Sequence, residues 1–170
     1  MNAYVALLRA INVGGMGKLA MTELKRLCEV AGFTSVKTYI QSGNVVFASR
    51  LSEAKVKAAL EKALAAHMGK HFPAIVRSAA EMADVLKRNP FAKHPPNRVI
   101  VSFLDEPAPK DALKAMSAPG GEEAKLSGRE VFIYYPDGQG VSKFKLPLLA
   151  KGTGRNINTI AKLAEMAAEI

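Results

Sequence analysis

Residues 3–13 form a nearly continuous apolar run, and Gly14-Gly15 bound it. Tyr4, Val5, Ala6, Leu7 and Leu8 follow one another without polar alternation. A short run of this kind reads as a buried strand, because neither face is suited to water. It leads into Arg9-Ala10-Ile11-Asn12-Val13-Gly14-Gly15. Arg, Asn and paired Gly are poor core material and good material for holding a ligand.

The segments that follow have clear periods. Met21 to Ala31 reads as a helix, with Leu24, Leu27 and Cys28 at helical spacing, Glu23 in the first turn and Gly32 as the stop. Residues 35–41 alternate, which is a strand signal. A second strand, 44–48, follows the Ser42-Gly43 turn. Leu51 to Met68 is the clearest helix: Ser52 suits the N-cap, Val56, Ala59, Leu60, Ala63 and Leu64 make one apolar face, and Gly69 ends it. Phe72 to Arg77 closes the half as a short strand. The order strand, helix, strand, strand, helix, strand is the split βαβ or ferredoxin-like plan, an antiparallel sheet with two helices on one face.

The second half reads as a helix over 79–88, a strand over 98–104, a short helix over 109–117, a second over 142–150 that is interrupted at Pro147, a hairpin of 123–126 with 130–135, and a C-terminal helix over 156–168. Its core order echoes the first half. The expectation is an α+β protein of two ferredoxin-like halves, 1–78 and 79–170, the second carrying the C-terminal helix.

Composition narrows the function. Of 170 residues, 49% are hydrophobic, so core material is ample. The single cysteine, Cys28, permits no internal disulfide and suits a reducing cytosol. Arg9 interrupts the N-terminal apolar run well short of signal length, and no stretch approaches the roughly 20 apolar residues of a membrane span. A cytoplasmic protein is expected. The net charge is +9. Residues 1–80 hold eleven Lys/Arg against four Asp/Glu, and residues 81–170 hold thirteen against eleven. This basic first half fits an anionic partner, a nucleotide or nucleic acid. It equally fits solvated lysines on a plain amphipathic helix.

Several ordered motifs resemble one family of conserved bacterial proteins. They are Leu8 to Gly15, then Tyr39-Ile40-Gln41-Ser42-Gly43-Asn44-Val45-Val46-Phe47, then Asn89-Pro90-Phe91, Gly140, Ser142-Lys143, and Arg155-Asn156 with Asn158-Thr159. The chain resembles the DUF1697 family in these stretches and departs from it at Ile157, where the family usually has Trp. The resemblance implies an α+β fold of two ferredoxin-like halves and implies no activity.

Three polar–glycine clusters suggest one composite site: Arg9 to Gly15, Gln41 to Asn44, and Thr153 to Thr159. Arg9 and Asn12 flank a turn, and Gly14 and Gly15 would let an anion approach backbone N–H groups. The Gly14 to Lys18 stretch lacks Walker spacing, so it is not a phosphate loop. Gln41, Ser42 and Asn44 offer amide and hydroxyl groups, and turn-making is their competing role. Thr153 and Arg155 are read at the start of the last helix, where free N–H groups attract anions. Asn156 and Asn158 suit either ligand contact or capping. Lys143 is a further anion contact or a plain surface lysine.

Catalytic machinery is thin. His67 and His71 stand four apart, but Gly69 separates them, so no metal site is expected. Cys28 reads as a buried structural thiol. Glu122-Glu123 reads as solvated loop charge. Binding of an anionic small molecule is therefore favoured, by Arg9, Asn12, Gln41, Asn44 and Arg155 with Gly14 and Gly15. RNA binding on a sheet face bearing Tyr4, Tyr39 and Phe47 is the alternative. An enzyme using a cofactor in the same cleft is a third class. Nothing in the chain names that cofactor, and oligomeric state is left open.

Overall fold

Strand β1 (Asn2–Leu8) is paired along both edges, which explains why it has no polar face. The computed structural model describes residues 1–11, 18–40 and 43–170. Its contacts divide it into two units, Met1–Ala83 together with Lys162–Ile170, and Asp84–Ala161.

In the first unit, β1 is followed by α1 (Met21–Val30), β2 (Thr34–Tyr39), β3 (Asn44–Ser49), α2 (Glu53–Met68) and β4 (Ala74–Ser78). The sheet order is β2-β3-β1-β4 and every neighbouring pair is antiparallel. This is the split βαβ arrangement. One face, with Tyr4, Ala6, Leu8, Val45, Phe47 and Val76, shares a core with Leu24, Leu27 and Cys28 of α1 and Val56, Leu60 and Leu64 of α2. Phe33 stacks on Phe47 with ring centroids 4.3 Å apart. On the opposite face Val5, Leu7, Val46, Ile75 and Arg77 are also buried.

The ends of α2 follow from its sequence. The Ser52 hydroxyl accepts from the Lys55 N–H at 3.4 Å, which occupies one of the orphan donors of the first turn. Gly69 ends the helix at φ 80°, a left-handed conformation that glycine enters at little cost. The same helix clasps the outer strand. Glu61 accepts the Ala74 N–H at 2.9 Å, while Lys57 donates to the Ala74 carbonyl at 2.6 Å and to Glu61 at 2.7 Å.

The second unit holds β5 (Val99–Phe103), β6 (Glu123–Ser127), β7 (Glu130–Tyr134) and β8 (Thr153–Asn156). Helices α3 (Ala79–Lys87) and α4 (Ile157–Ala168) each have residues in both units. The order β6-β7-β5-β8 traces the same path as the first sheet. The crossovers differ. Short helices were expected over 109–117 and 142–150, and only 3₁₀ turns form, at Ala112–Ala115 and Pro147–Lys151. Pro147 lacks an N–H and holds Leu146 extended, at φ −149° and ψ 111°, so no helix can run through it. The core of this unit joins Ile100, Leu104, Val131, Ile133, Tyr135 and Leu146, with Leu113, Phe144, Leu148 and Leu149 packed around them.

The cluster that begins at Thr153 is a strand, not a helix start. Thr153 to Asn156 pair antiparallel with β5, Arg155 opposite Val101 and Asn156 opposite Ile100. The Asn156 side chain then accepts from the Thr159 N–H at 2.9 Å. That is the N-cap bond, and it sets the start of α4 at Ile157.

Gly43 fixes the register of the first sheet. Its φ is 82°, and a Cβ placed there would lie 2.9 Å from the Leu8 Cβ. Gly43→Ala is therefore expected to cost about 1–3 kcal/mol of stability, from positive φ and from overpacking. Urea unfolding monitored by circular dichroism measures it, and a loss below about 0.5 kcal/mol would contradict the close approach.

Candidate functional site

The end of β1 meets the turn that opens β3. The Leu8 N–H donates to the Gly43 carbonyl at 2.8 Å, and the Arg9 N–H donates to the Pro73 carbonyl at 3.0 Å. Arg9, whose side chain is half-buried, thus sits beside the second polar cluster. Ala10 has φ 60° and Ile40 has φ 51°. Left-handed backbone is unfavourable for residues with a Cβ, and a β-branched residue tolerates it least. Ile40 is moreover 53% exposed, so the alternation read through residues 35–41 breaks there. Two of the three non-glycine residues with positive φ among the described residues therefore flank this junction.

Asn44 is buried, and its side-chain amide donates to the Tyr39 carbonyl at 3.0 Å. It closes the hairpin in which Tyr39 and Asn44 are paired. Asn12, Gly14, Gly15, Gln41 and Ser42 lie outside the described residues.

The remaining candidates belong to the second unit. Arg155 is buried, and its guanidinium donates to the Thr153 hydroxyl at 2.7 Å and to the Gly154 carbonyl at 2.9 Å. Burial pushes its pKa down to about 10, so it still carries its charge at neutral pH. Asn156 serves as the helix cap, and Asn158, on the first turn of α4, is exposed. Lys143 is exposed.

Glu122, expected to be solvated, is buried. Its carboxylate accepts from the Ser142 hydroxyl at 2.7 Å and from the Gly120 N–H at 2.9 Å. The Ser142 bond holds its carboxyl below the usual carboxylate range. The only trace of this in the chain is a Glu two residues after Pro119-Gly120, and its hydroxyl partner lies 20 residues on.

Of the three aromatic residues considered for base stacking, two are buried. Tyr4 and Phe47 lie in the core, and the Tyr4 hydroxyl donates to the Leu51 carbonyl at 2.7 Å. Tyr39 is half-buried at the strand end. His67 lies 3.6 Å from Glu23, and among the described residues no three His, Cys, Asp or Glu gather to hold a metal. Cys28 is buried, and desolvation pushes its thiol up to about 12. No helix of the described residues is long and apolar enough to cross a membrane.

Fold and junction together define an α+β protein with two antiparallel four-stranded sheets and a polar rim at one strand end. The model of the DUF1697 family, a protein of unknown function, matches residues 1–132, and the chain belongs to that family. It is similar in structure to the conserved bacterial protein SP0830 from Streptococcus pneumoniae, with a TM-score of 0.82, 26% identity and 98% of each chain covered. No curated protein matches the chain.

Two outcomes follow from the titrating groups. A folded-state pKa below the unfolded value means that the Glu122 contribution is present above the unfolded value, about 4.3, and is lost as pH falls through the folded one. Glu122→Gln should therefore lower the stability at pH 7, and its curve should converge with the wild type in acid. Parallel curves at all pH values would contradict the bond. Cys28 should react with a thiol reagent at pH 8 only after denaturant is added, whereas rapid labelling of the native chain would contradict its burial.

Proposed function

We propose that the chain is a cytoplasmic binding protein for an anionic small molecule, phosphorylated or nucleotide-like, held at the junction of Arg9 with the Gly43 turn. The observation that carries this reading is the pair of strained residues, Ala10 and Ile40, on either side of the Leu8–Gly43 bond. Non-glycine residues in the left-handed region persist only where their surroundings hold them there, and they gather at ligand sites. Arg9 follows directly on a strand fixed on both edges, and its N–H is held by the Pro73 carbonyl, so its backbone is set in place. Its guanidinium provides the fork geometry that suits phosphate or carboxylate. The excess of Lys/Arg over residues 1–80 gives the same unit a field favourable to anions.

The test is calorimetric titration with ATP and with inorganic phosphate, beside a melting curve. Arg9→Ala should reduce affinity by about tenfold or more, since a charged hydrogen bond is lost. Its melting temperature should stay within about 2 °C of the wild type. A fall of about 8 °C or more would make Arg9 a structural residue. Unchanged affinity would remove it from the site.

A further inference from the structure

The second unit contains a lysine-lined hollow of about 550 Å³ that owes nothing to Arg9. Its walls are Ser117, Pro119, Ser142, Lys143, Phe144 and Lys145. It is a shallow hollow, open to solvent rather than an enclosed cavity. The chain along one wall is extended where its angles are known, with Ser142 at φ −76° and ψ 141° and Leu146 at φ −149° and ψ 111°. Ser117 and Lys145 form an isolated antiparallel bridge and exchange both backbone hydrogen bonds at 2.9 Å.

This geometry places three of the lining side chains on one face. Directly opposed residues of an antiparallel pair project to the same side, and so do residues two apart along an extended chain. Lys145, Ser117 and Lys143 therefore share one face. Phe144, between the lysines, turns to the core and meets the Tyr135 ring edge-on at 5.9 Å. Exposure alternates accordingly: both lysines are exposed, Phe144 is half-buried and Leu146 is buried. Neither lysine has an ion-pair partner among the described residues.

The wall is also held in place. The Ser142 hydroxyl donates to Glu122 at 2.7 Å and accepts from the Phe144 N–H at 3.0 Å. The other Glu122 oxygen takes the Gly120 N–H. The carboxylate is thus engaged with the two loops it joins, and the Ser142 hydroxyl with its neighbours. The groups left for a ligand are two ammonium ions and the Ser117 hydroxyl.

We propose that this hollow binds the phosphate or diphosphate group of a small phosphorylated molecule. Lys143 and Lys145 neutralise its charge, and the Ser117 hydroxyl donates to one of its oxygens. Two residues of extended chain put the lysine Cα atoms about 6.5–7 Å apart, so both flexible stems can converge on one such group. The site is separate in residues from the Arg9 rim and stands or falls independently of it.

Titration of the full chain with inorganic pyrophosphate at low salt tests this, followed by calorimetry and by amide chemical shifts. Shifts should concentrate at residues 117 and 142–145. The double variant Lys143→Met with Lys145→Met should bind at least about tenfold more weakly. The double variant Lys143→Arg with Lys145→Arg and the single variant Lys93→Met, at an exposed lysine outside the hollow, should both bind within about threefold of the wild type. Unchanged affinity in the double methionine variant overturns the proposal. So does a set of shifts that leaves residues 117 and 142–145 unmoved. Loss of binding in Arg9→Ala alone would assign pyrophosphate to the first-unit rim and would overturn the lysine hollow.

Discussion

The first unit depends on β1 being hydrogen-bonded along both edges while both of its faces are out of water. From Tyr4 to Leu8 the strand is buried and carries no charged side chain. Leu8 is its last residue, with Ala74 on one side and the Gly43 carbonyl on the other. Arg9 is the first charged residue after this buried stretch. The polar rim lies at a strand end because the sheet itself excludes it, and the close approach of Gly43 to Leu8 keeps that end from sliding.

The second sheet repeats the strand path of the first with different connections. Where α1 and α2 bridge the strands of the first unit, 3₁₀ turns of four and five residues do so in the second. Short connections bury less apolar surface than helices, so polar contacts take on more of the task of fixing the loops. Glu122 joins the Gly120 turn to Ser142. Arg88 joins the end of α3 to the hairpin, donating to the Ser127 carbonyl at 3.0 Å and pairing with the buried Glu130. Removing either partner would leave a buried group without its bond, which costs more than a bond in water is worth.

Much of this was legible in the chain, and the limits are physical. β1, α2 and the hairpin of β6 with β7 declare themselves through apolar runs, helical period and glycine turns. β8 does not, because Thr-Gly-Arg-Asn is four residues with neither alternation nor an apolar face, and its extended form comes from pairing with β5. Proline content betrays the weakness of the second unit's helices only in part: Pro147 interrupts the 142–150 segment, whereas Pro109 is acceptable in a first turn. The Arg9 and Gly43 clusters were visible as polar islands, whereas their adjacency comes from strand register. Asn44 and Asn156 each suited either a ligand or the backbone, and the structure gives both a backbone bond. Glu122 looked like solvated charge because its hydroxyl partner is remote in sequence.

The clasp of α2 on Ala74 has a consequence for the molecule in a crowded solution. A sheet with open edges invites another chain to add a strand, and a protein with this much apolar residue is vulnerable to such growth. At Ala74 the outward N–H and carbonyl are already taken by Glu61 and Lys57, so the opening of that border offers no template. The other border, β2, is irregular between Thr34 and Lys37, and Ser35 there has φ 53°. The start of one margin is occupied and the other margin is bent, and at these two points strand addition meets an obstacle.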